Sequence, residues 1–174
     1  MALLKILHYP EPLLKQKSQP VSEFNDALRQ LADRMAETMY DAPGVGLAAP
    51  QVGVLKRLIV MDCSTGEEPA DLILAVNPEI VSREGESLEE EGCLSVPGFW
   101  ANVQRAGKAT MRYQDVEGNV QQRTAEGLLA ICMQHEIDHL DGILFVDRLS
   151  PLKRSLFRKK YLKMLKELEQ ENDA

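Results

Sequence analysis

Apolar residues recur at three- and four-residue steps early in the chain. Phe24, Leu28, Leu31, Met35 and Met39 share one face of a helix predicted from about Asn25 to Tyr40. Asn25 or Asp26 can cap its start, and Asp41-Ala42-Pro43-Gly44 ends it. The pattern then changes period. Residues 57–62 (RLIVMD) and 72–76 (LILAV) are short apolar runs bounded by polar residues, as in strands. Asn77-Pro78 marks a bend or bulge, because proline has no N–H to give to a ladder. Residues 109–113 and 120–124 flank Asp115-Val116-Glu117-Gly118-Asn119, a hairpin signal. From about Glu126 to Leu140, Leu128, Leu129, Ile131, Cys132, Met133 and Ile137 leave almost no polar face, so a buried helix is expected. Another helix starts at Ser150-Pro151, where proline is tolerated in the first turn, and runs to about Glu169. Antiparallel strands whose helices do not alternate between them predict an α+β fold, with the strands packed around the central helix and a helix at the C-terminus.

The 174 residues fit one domain, 1–174, with no internal repeat or low-complexity linker. A hydrophobic share of 44% supports a core without disulfide staples, and 27% charged residues are too few for wholesale disorder. The net charge of -7 argues against DNA as a partner. Three cysteines, Cys63, Cys93 and Cys132, lack the short, even spacing of a disulfide framework and fit a reducing, cytoplasmic location. The opening MALLKILHYPEP has no basic flank before a long apolar core. No run approaches the ~18 apolar residues of a membrane span, so neither a signal peptide nor a membrane partner is expected.

The sharpest chemical signal is His135-Glu136-Ile137-Asp138-His139, an H-E-x-x-H match on the buried helix. Residues at i and i+4 lie one above the other, so both imidazoles can reach one metal ion. Glu136 beside them can take a proton from a water that the metal acidifies. Such a pattern also arises by chance in helices. Here two of only three histidines fall in it, on a helix too apolar to bury them cheaply without partners. Asp138 and Gln134 are close enough in sequence to orient the rings.

A catalytic metal site takes three protein ligands and leaves a position open. The longer zincin pattern fails here, because Phe145 stands where its last histidine belongs and no histidine lies downstream. The third ligand is therefore expected upstream, and the candidate is Cys93 in Glu89-Glu90-Glu91-Gly92-Cys93-Leu94-Ser95-Val96-Pro97-Gly98, read as a turn-rich loop. A free cysteine is more often a small core residue. Cys63 and Cys132 are read that way, Cys132 also as a pocket wall. Gly44-Val45-Gly46-Leu47-Ala48-Ala49-Pro50-Gln51-Val52-Gly53 is either a small-residue connection or a functional loop. In the second case its backbone would pair with an extended peptide and Gln51 would offer an amide donor. It lacks the Gly-Lys-Ser/Thr of a phosphate loop.

GVGLAAPQVG, EEGCLSVPG and QHEIDHLDG together resemble the three signature motifs of peptide deformylases, in order and across essentially the whole chain. The resemblance implies an α+β metal-dependent hydrolase that removes the N-formyl group from the formyl-methionine of newly made polypeptides and releases formate. It implies Cys93, His135 and His139 as ligands and Glu136 as the acid/base. Gln51 and the backbone N–H of Leu94 would be donors to the developing oxyanion. Gly46 would hold the peptide in a strand-like pose. Val45, Glu91, Leu128, Ile131, Cys132 and His135 would line the pocket for the methionine, and Gly92 would also bind substrate. It favours Fe2+, one per chain. A thiolate with two imidazoles would also accept Zn2+, Ni2+ or Co2+. Trp100, the single tryptophan, follows Gly98-Phe99 where relatives often carry a charge. It is either packing or the pocket rim.

The last helix is polarised. From Lys153 to Lys166 there are seven basic residues and no acidic ones, which leaves -14 on the rest of the chain against -7 overall. Phe157, Tyr161, Met164, Leu165 and Leu168 share one face, and Lys159, Lys163 and Lys166 lie opposite. The basic face is either simply solvated or a contact for RNA phosphates. An enzyme acting on nascent chains makes the ribosome its natural partner. Two other readings stand beside the deformylase: a zincin-like peptidase, and a non-catalytic, metal-stabilised binding protein.

Overall fold

A computed structural model describes residues 3–64, 66 and 69–172. Helix α1 spans Asp26–Asp41, and the Asn25 side chain accepts the Leu28 N–H at 3.0 Å, the cap expected from the sequence. The strands are β1 (Gly46–Ala48), β2 (Leu58–Met61), β3 (Ile73–Glu84), β4 (Ser87–Cys93), β5 (Val96–Arg105), β6 (Lys108–Gln114) and β7 (Val120–Glu126). Helix α2 covers Gly127–Leu140 and α3 Pro151–Asn172. Five strands form one antiparallel sheet in the order β1-β2-β3-β6-β7, and β4 pairs with β5 as a separate ribbon.

The unbroken apolar run of β2 has a plain cause. Leu58 and Val60 face α1, where they join Leu28, Ala32, Met35 and Met39. Ile59 and Met61 face α2, where they join Met133, Ile137 and Leu140. A strand covered on both faces reads as continuous hydrophobicity. Helix α2 therefore lies across the sheet, and the α+β layout with a central H-E-x-x-H helix is as predicted.

The Asn77-Pro78 irregularity is a bulge. The β3–β6 register shifts between Val76 and Glu79, and Asn77 takes φ +50°. Its side chain compensates, accepting from the Val21 N–H at 2.8 Å and donating to the Val21 carbonyl at 2.9 Å. The strand does not stop there but continues to Glu84. The predicted hairpin turn also forms, with Asp115 Oδ1 accepting the N–H groups of Glu117 and Asn119 at 2.9 and 3.0 Å.

The stretch read as a turn-rich loop is instead the β4–β5 ribbon. Cys93 pairs with Val96, so only Leu94 and Ser95 turn, and Val96-Pro97-Gly98 belongs to β5. The glutamate run hid β4, because Leu88, Glu89 and Glu90 are exposed in succession and show no alternation. The readable signal was in β5, where Phe99, Ala101, Val103 and Arg105 alternate with more exposed residues.

Helix α3 docks by Phe157 and Tyr161. Both rings are buried against Tyr9, and the Phe157 ring lies 4.5 Å from that of Phe99, centroid to centroid. Phe145 belongs to the same cluster and stacks on His135 with centroids 6.0 Å apart. The position that would be a third histidine in a zincin is thus core here.

Helix α2 must end sharply for the chain to turn back under it. Gly142 does this at φ +75°, with its Cα against the Lys15 carbonyl. Gly142→Ala brings a Cβ into that carbonyl and strains the backbone, so a loss of at least ~1–3 kcal/mol is expected. Urea denaturation measures it, and an unchanged midpoint would refute this account of the turn.

Candidate metal centre

Two segments far apart in sequence deliver the donors. Helix α2 presents His135 and His139 one turn apart, and the end of β4 presents Cys93. The Cys93 sulfur and a ring nitrogen of each histidine lie within 4.8 Å of one another. Cys93 Sγ is 3.3 Å from His139 Nε2. Ligands about 2.0–2.3 Å from a tetrahedral ion stand roughly 3.5 Å apart, so the set fits a single divalent metal. A thiolate and two imidazoles suit a first-row transition ion and not calcium or magnesium.

The ring of His135 is fixed from behind. Its Nδ1 is 2.9 Å from Glu91 Oε1, which leaves Nε2 for an ion. Glu91 is itself gripped by Arg105 through two bonds, Nε to Oε2 at 2.9 Å and Nη2 to Oε1 at 3.0 Å. Arg105 Nη1 then donates to Asp138 Oδ2 at 2.6 Å, and Asp138 also receives two bonds from Arg148. Burial opposes the charge on Glu91, but the bonds from His135 and Arg105 hold its carboxyl below the ordinary range. Glu91 lies in the cavity wall as expected, yet its carboxylate is committed to His135 and Arg105.

The expected orienting partners are corrected on this point. Gln134 pairs with the backbone of Ala106, at 3.0 and 2.9 Å, and touches neither ring. Asp138 acts on Arg105 and not on a histidine. Arg105 was missed by sequence reasoning. Its signal was a basic residue at an inward-facing position of an alternating strand, which demands a buried acidic partner.

Charge within the site also suits a cation. Burial and the neighbouring His135 ring keep His139 well below its ordinary value, so its imidazole is neutral. Burial works against a charge on His135 too, but the Glu136 carboxylate leads the groups that outweigh it and favour positive charge there. Glu136 is buried, its Oε1 has no hydrogen-bond partner, and burial pushes its carboxyl up to about 7. A carboxylate poised near neutrality suits proton transfer.

Gln51 is anchored on the far side. Its Oε1 accepts the Ala48 N–H at 2.9 Å, and its Nε2 faces Ser95 Oγ at 3.0 Å and Cys93 Sγ at 3.6 Å. The amide donor therefore stands beside the donor set. Gly46, on β1, packs so closely on α2 that a Cβ would sit 2.5 Å from Glu136 Oε2 and 2.7 Å from Cys132 Sγ. Strand β1 is the edge of its sheet.

These groups line a cavity of about 880 Å³ that includes Val45, Gly46, Gln51, Glu91, Gly92, Cys93, Leu94, Leu128, Ile131, Cys132, His135 and Glu136. All the sequence-predicted site residues except His139 meet there. His139, buried beneath, joins them through Cys93. Leu128 is not buried with its helix but half exposed at the mouth, beside Val45. Trp100 resolves both of its readings: one edge of the indole covers Gly92, while 61% of the residue stays exposed on the cavity rim.

The sequence family model for polypeptide deformylase matches residues 3–155. The chain belongs to the peptide deformylase family. A peptide deformylase of Thermodesulfovibrio yellowstonii is 55% identical over 161 residues, which cover 92% of this chain and 98% of that protein. The crystal structure of a peptide deformylase from Legionella pneumophila superposes with a TM-score of 0.88 at 51% identity, covering 97% and 98% of the two chains. A Synechococcus elongatus peptide deformylase in complex with actinonin gives 0.82 at 41% identity, covering 90% and 85%. The deformylase is thus a metal-dependent hydrolase that removes the N-formyl group from the methionine of newly made polypeptides. The zincin-peptidase and non-catalytic readings fall with this assignment.

The Glu91 bond to His135 is testable without reference to turnover. Glu91→Gln keeps the shape but weakens the grip on the ring, and metal affinity is expected to fall ~10–100-fold. Chelator competition measures it, and an unchanged affinity would remove Glu91 from the orienting role.

Proposed function

We propose that this deformylase works as one catalytic domain over residues 1–174, holding one Fe2+ on Cys93, His135 and His139, with Glu136 as its acid/base. The observation that carries the reading is the meeting of these three donors within 4.8 Å, beside a buried carboxylate without a protein partner for Oε1. Zn2+, Ni2+ or Co2+ would satisfy the same donors in the isolated protein. When bound, the ion supplies Lewis acidity, lowering the pKa of a water and drawing electrons from the formyl carbonyl.

The chain's own groups do the rest. Glu136 takes the proton of the attacking water and delivers it to the leaving amine nitrogen, which frees the methionine and formate. Gln51 Nε2–H and the Leu94 N–H donate to the carbonyl oxygen as it gains charge, each contributing on the order of 3 kcal/mol in comparable sites. The edge position of β1 supports a substrate bound as an added strand along Gly46. Val45, Gly92, Leu128, Ile131 and Cys132, with Glu91 behind them, would surround the methionine side chain. The three free cysteines fit action in the cytoplasm, and no helix among the described residues is long and apolar enough to cross a membrane.

The partner beyond the peptide is the ribosome, met through Lys153 to Lys166. Six of the seven basic residues are exposed, and Phe157 and Tyr161 fix the helix with that face outward. Changing Lys159, Lys160, Lys163 and Lys166 to glutamate leaves this docking intact. It should weaken ribosome sedimentation binding and flatten its salt dependence. Equal binding by both proteins would dismiss the contact.

Anaerobic purification with metal analysis, followed by formate release from formyl-Met peptides with each reconstituted ion, tests the metal assignment. Iron should dominate in number and rate. Glu136→Gln should keep its metal and lose ~10²–10⁴-fold in rate. A variant that stays active would reject Glu136 as acid/base.

A further inference from the structure

Two cysteines outside the donor set lie together behind the substrate cavity. Cys132, on α2, is buried and forms part of the cavity wall. Cys63 follows β2, is half buried, and packs on the cluster that contains Cys132. The two side chains meet there, each close enough to shift the other's titration. One backbone group draws them together. The Val45 carbonyl accepts the N–H of Asp62, the neighbour of Cys63, at 2.9 Å, and the Cys132 thiol reaches the same oxygen at 3.6 Å. Val45 precedes Gly46, whose Cα rests on Cys132 and Glu136.

The two thiols differ in kind. The neighbouring Cys132 outweighs burial and the nearby carboxylates, and holds the Cys63 thiol below its ordinary value. Cys132, the other member of the pair and fully enclosed, is pushed well up by Cys63 and by burial. One is thus the better nucleophile and the more accessible, and the other a protonated thiol in contact with it.

We propose that Cys63 and Cys132 are a peroxide-sensitive thiol pair whose oxidation to a disulfide reversibly disables the substrate cavity. The Cys63 thiolate displaces hydroxide from hydrogen peroxide and becomes a sulfenic acid. The Cys132 sulfur attacks that sulfur and expels hydroxide, which leaves as water with the Cys132 proton. Two electrons pass from the pair to peroxide, and a thiol reductant returns them. The new bond takes the Cys132 hydrogen bond from the Val45 carbonyl and draws the wall of the cavity toward β2. Because Gly46 has no slack against Cys132, the edge of β1 moves with it. The effect on turnover rests on the substrate pose proposed above, whereas the cross-link does not.

The experiment uses the zinc-loaded enzyme, since zinc has no redox chemistry with peroxide. After peroxide treatment and alkylation, non-reducing peptide mapping should show Cys63 joined to Cys132, with zinc retained. Deformylation should fall roughly 10- to 100-fold, as for a displaced binding surface, and return with dithiothreitol. Cys63→Ser should match the untreated enzyme in rate and show no reversible loss. Absence of the Cys63–Cys132 peptide overturns the proposal, as does an equal loss in Cys63→Ser that tracks zinc release and Cys93 oxidation.

Discussion

The Arg105 guanidinium ties together the two parts of the chain that must meet to form the candidate metal centre. It leaves β5, grips Glu91 on β4 with two bonds, and reaches Asp138 on α2 with a third. The ribbon that ends in Cys93 is thereby joined to the helix that carries His135 and His139. Taking such a cation out of water costs several kcal/mol, and only near-complete pairing compensates. A hydrophobic contact between ribbon and helix would tolerate sliding. Directional bonds to two carboxylates do not, and Glu91 passes the constraint on to the imidazole at 2.9 Å. The position of the donors is set by this chain of charges more than by the core beneath them.

The opposite wall is set by closeness rather than charge. Gly46 lets β1 lie against Glu136 and Cys132 at a distance that any side chain would forbid. A strand edge is thus placed directly beside the buried Glu136 carboxylate. In the proposed pose, backbone groups along that edge would orient a peptide without reading its sequence, which suits an enzyme that must accept many different N-termini. In that pose, selectivity would fall to the apolar cavity residues Val45, Leu128 and Trp100.

Much of this was legible in the chain, and the reasons differ by element. Helix α1 declared itself by a clean apolar stripe and an Asn25 cap. Bulge and hairpin were readable because proline and Asp-x-x-Gly have strong local preferences. The donor set was readable because H-E-x-x-H encodes its geometry in spacing along a helix, and the three motifs together marked the family. The β4–β5 ribbon was not readable from its own composition. With one face largely solvated, Glu89 and Glu90 carry no strand period, and the Gly92-Cys93 step resembles a loop. Glu91 was seen as a pocket residue, but its bond to His135 depends on a pairing that sequence spacing does not reveal. Arg105 escaped notice for the same reason, since a single arginine after Gln104 at the end of a strand reads as surface.

The network also explains why the site can afford unsatisfied groups. Glu136 Oε1 and His139 Nδ1 are buried without partners, a condition that usually costs about 1–3 kcal/mol for each group. They flank His135 on the same side of the helix, Glu136 next after it in sequence and His139 one turn further on. A helix held only by packing would relieve both by rotating or fraying. Helix α2 cannot, because Asp138 is fixed from Arg105 and Arg148, and Gln134 is clamped to both backbone groups of Ala106. Strain at the reactive face is therefore maintained by saturation at the neighbouring one. The two faces alternate along the motif itself, so Gln134 and Asp138 fix the register in which His135, Glu136 and His139 are presented.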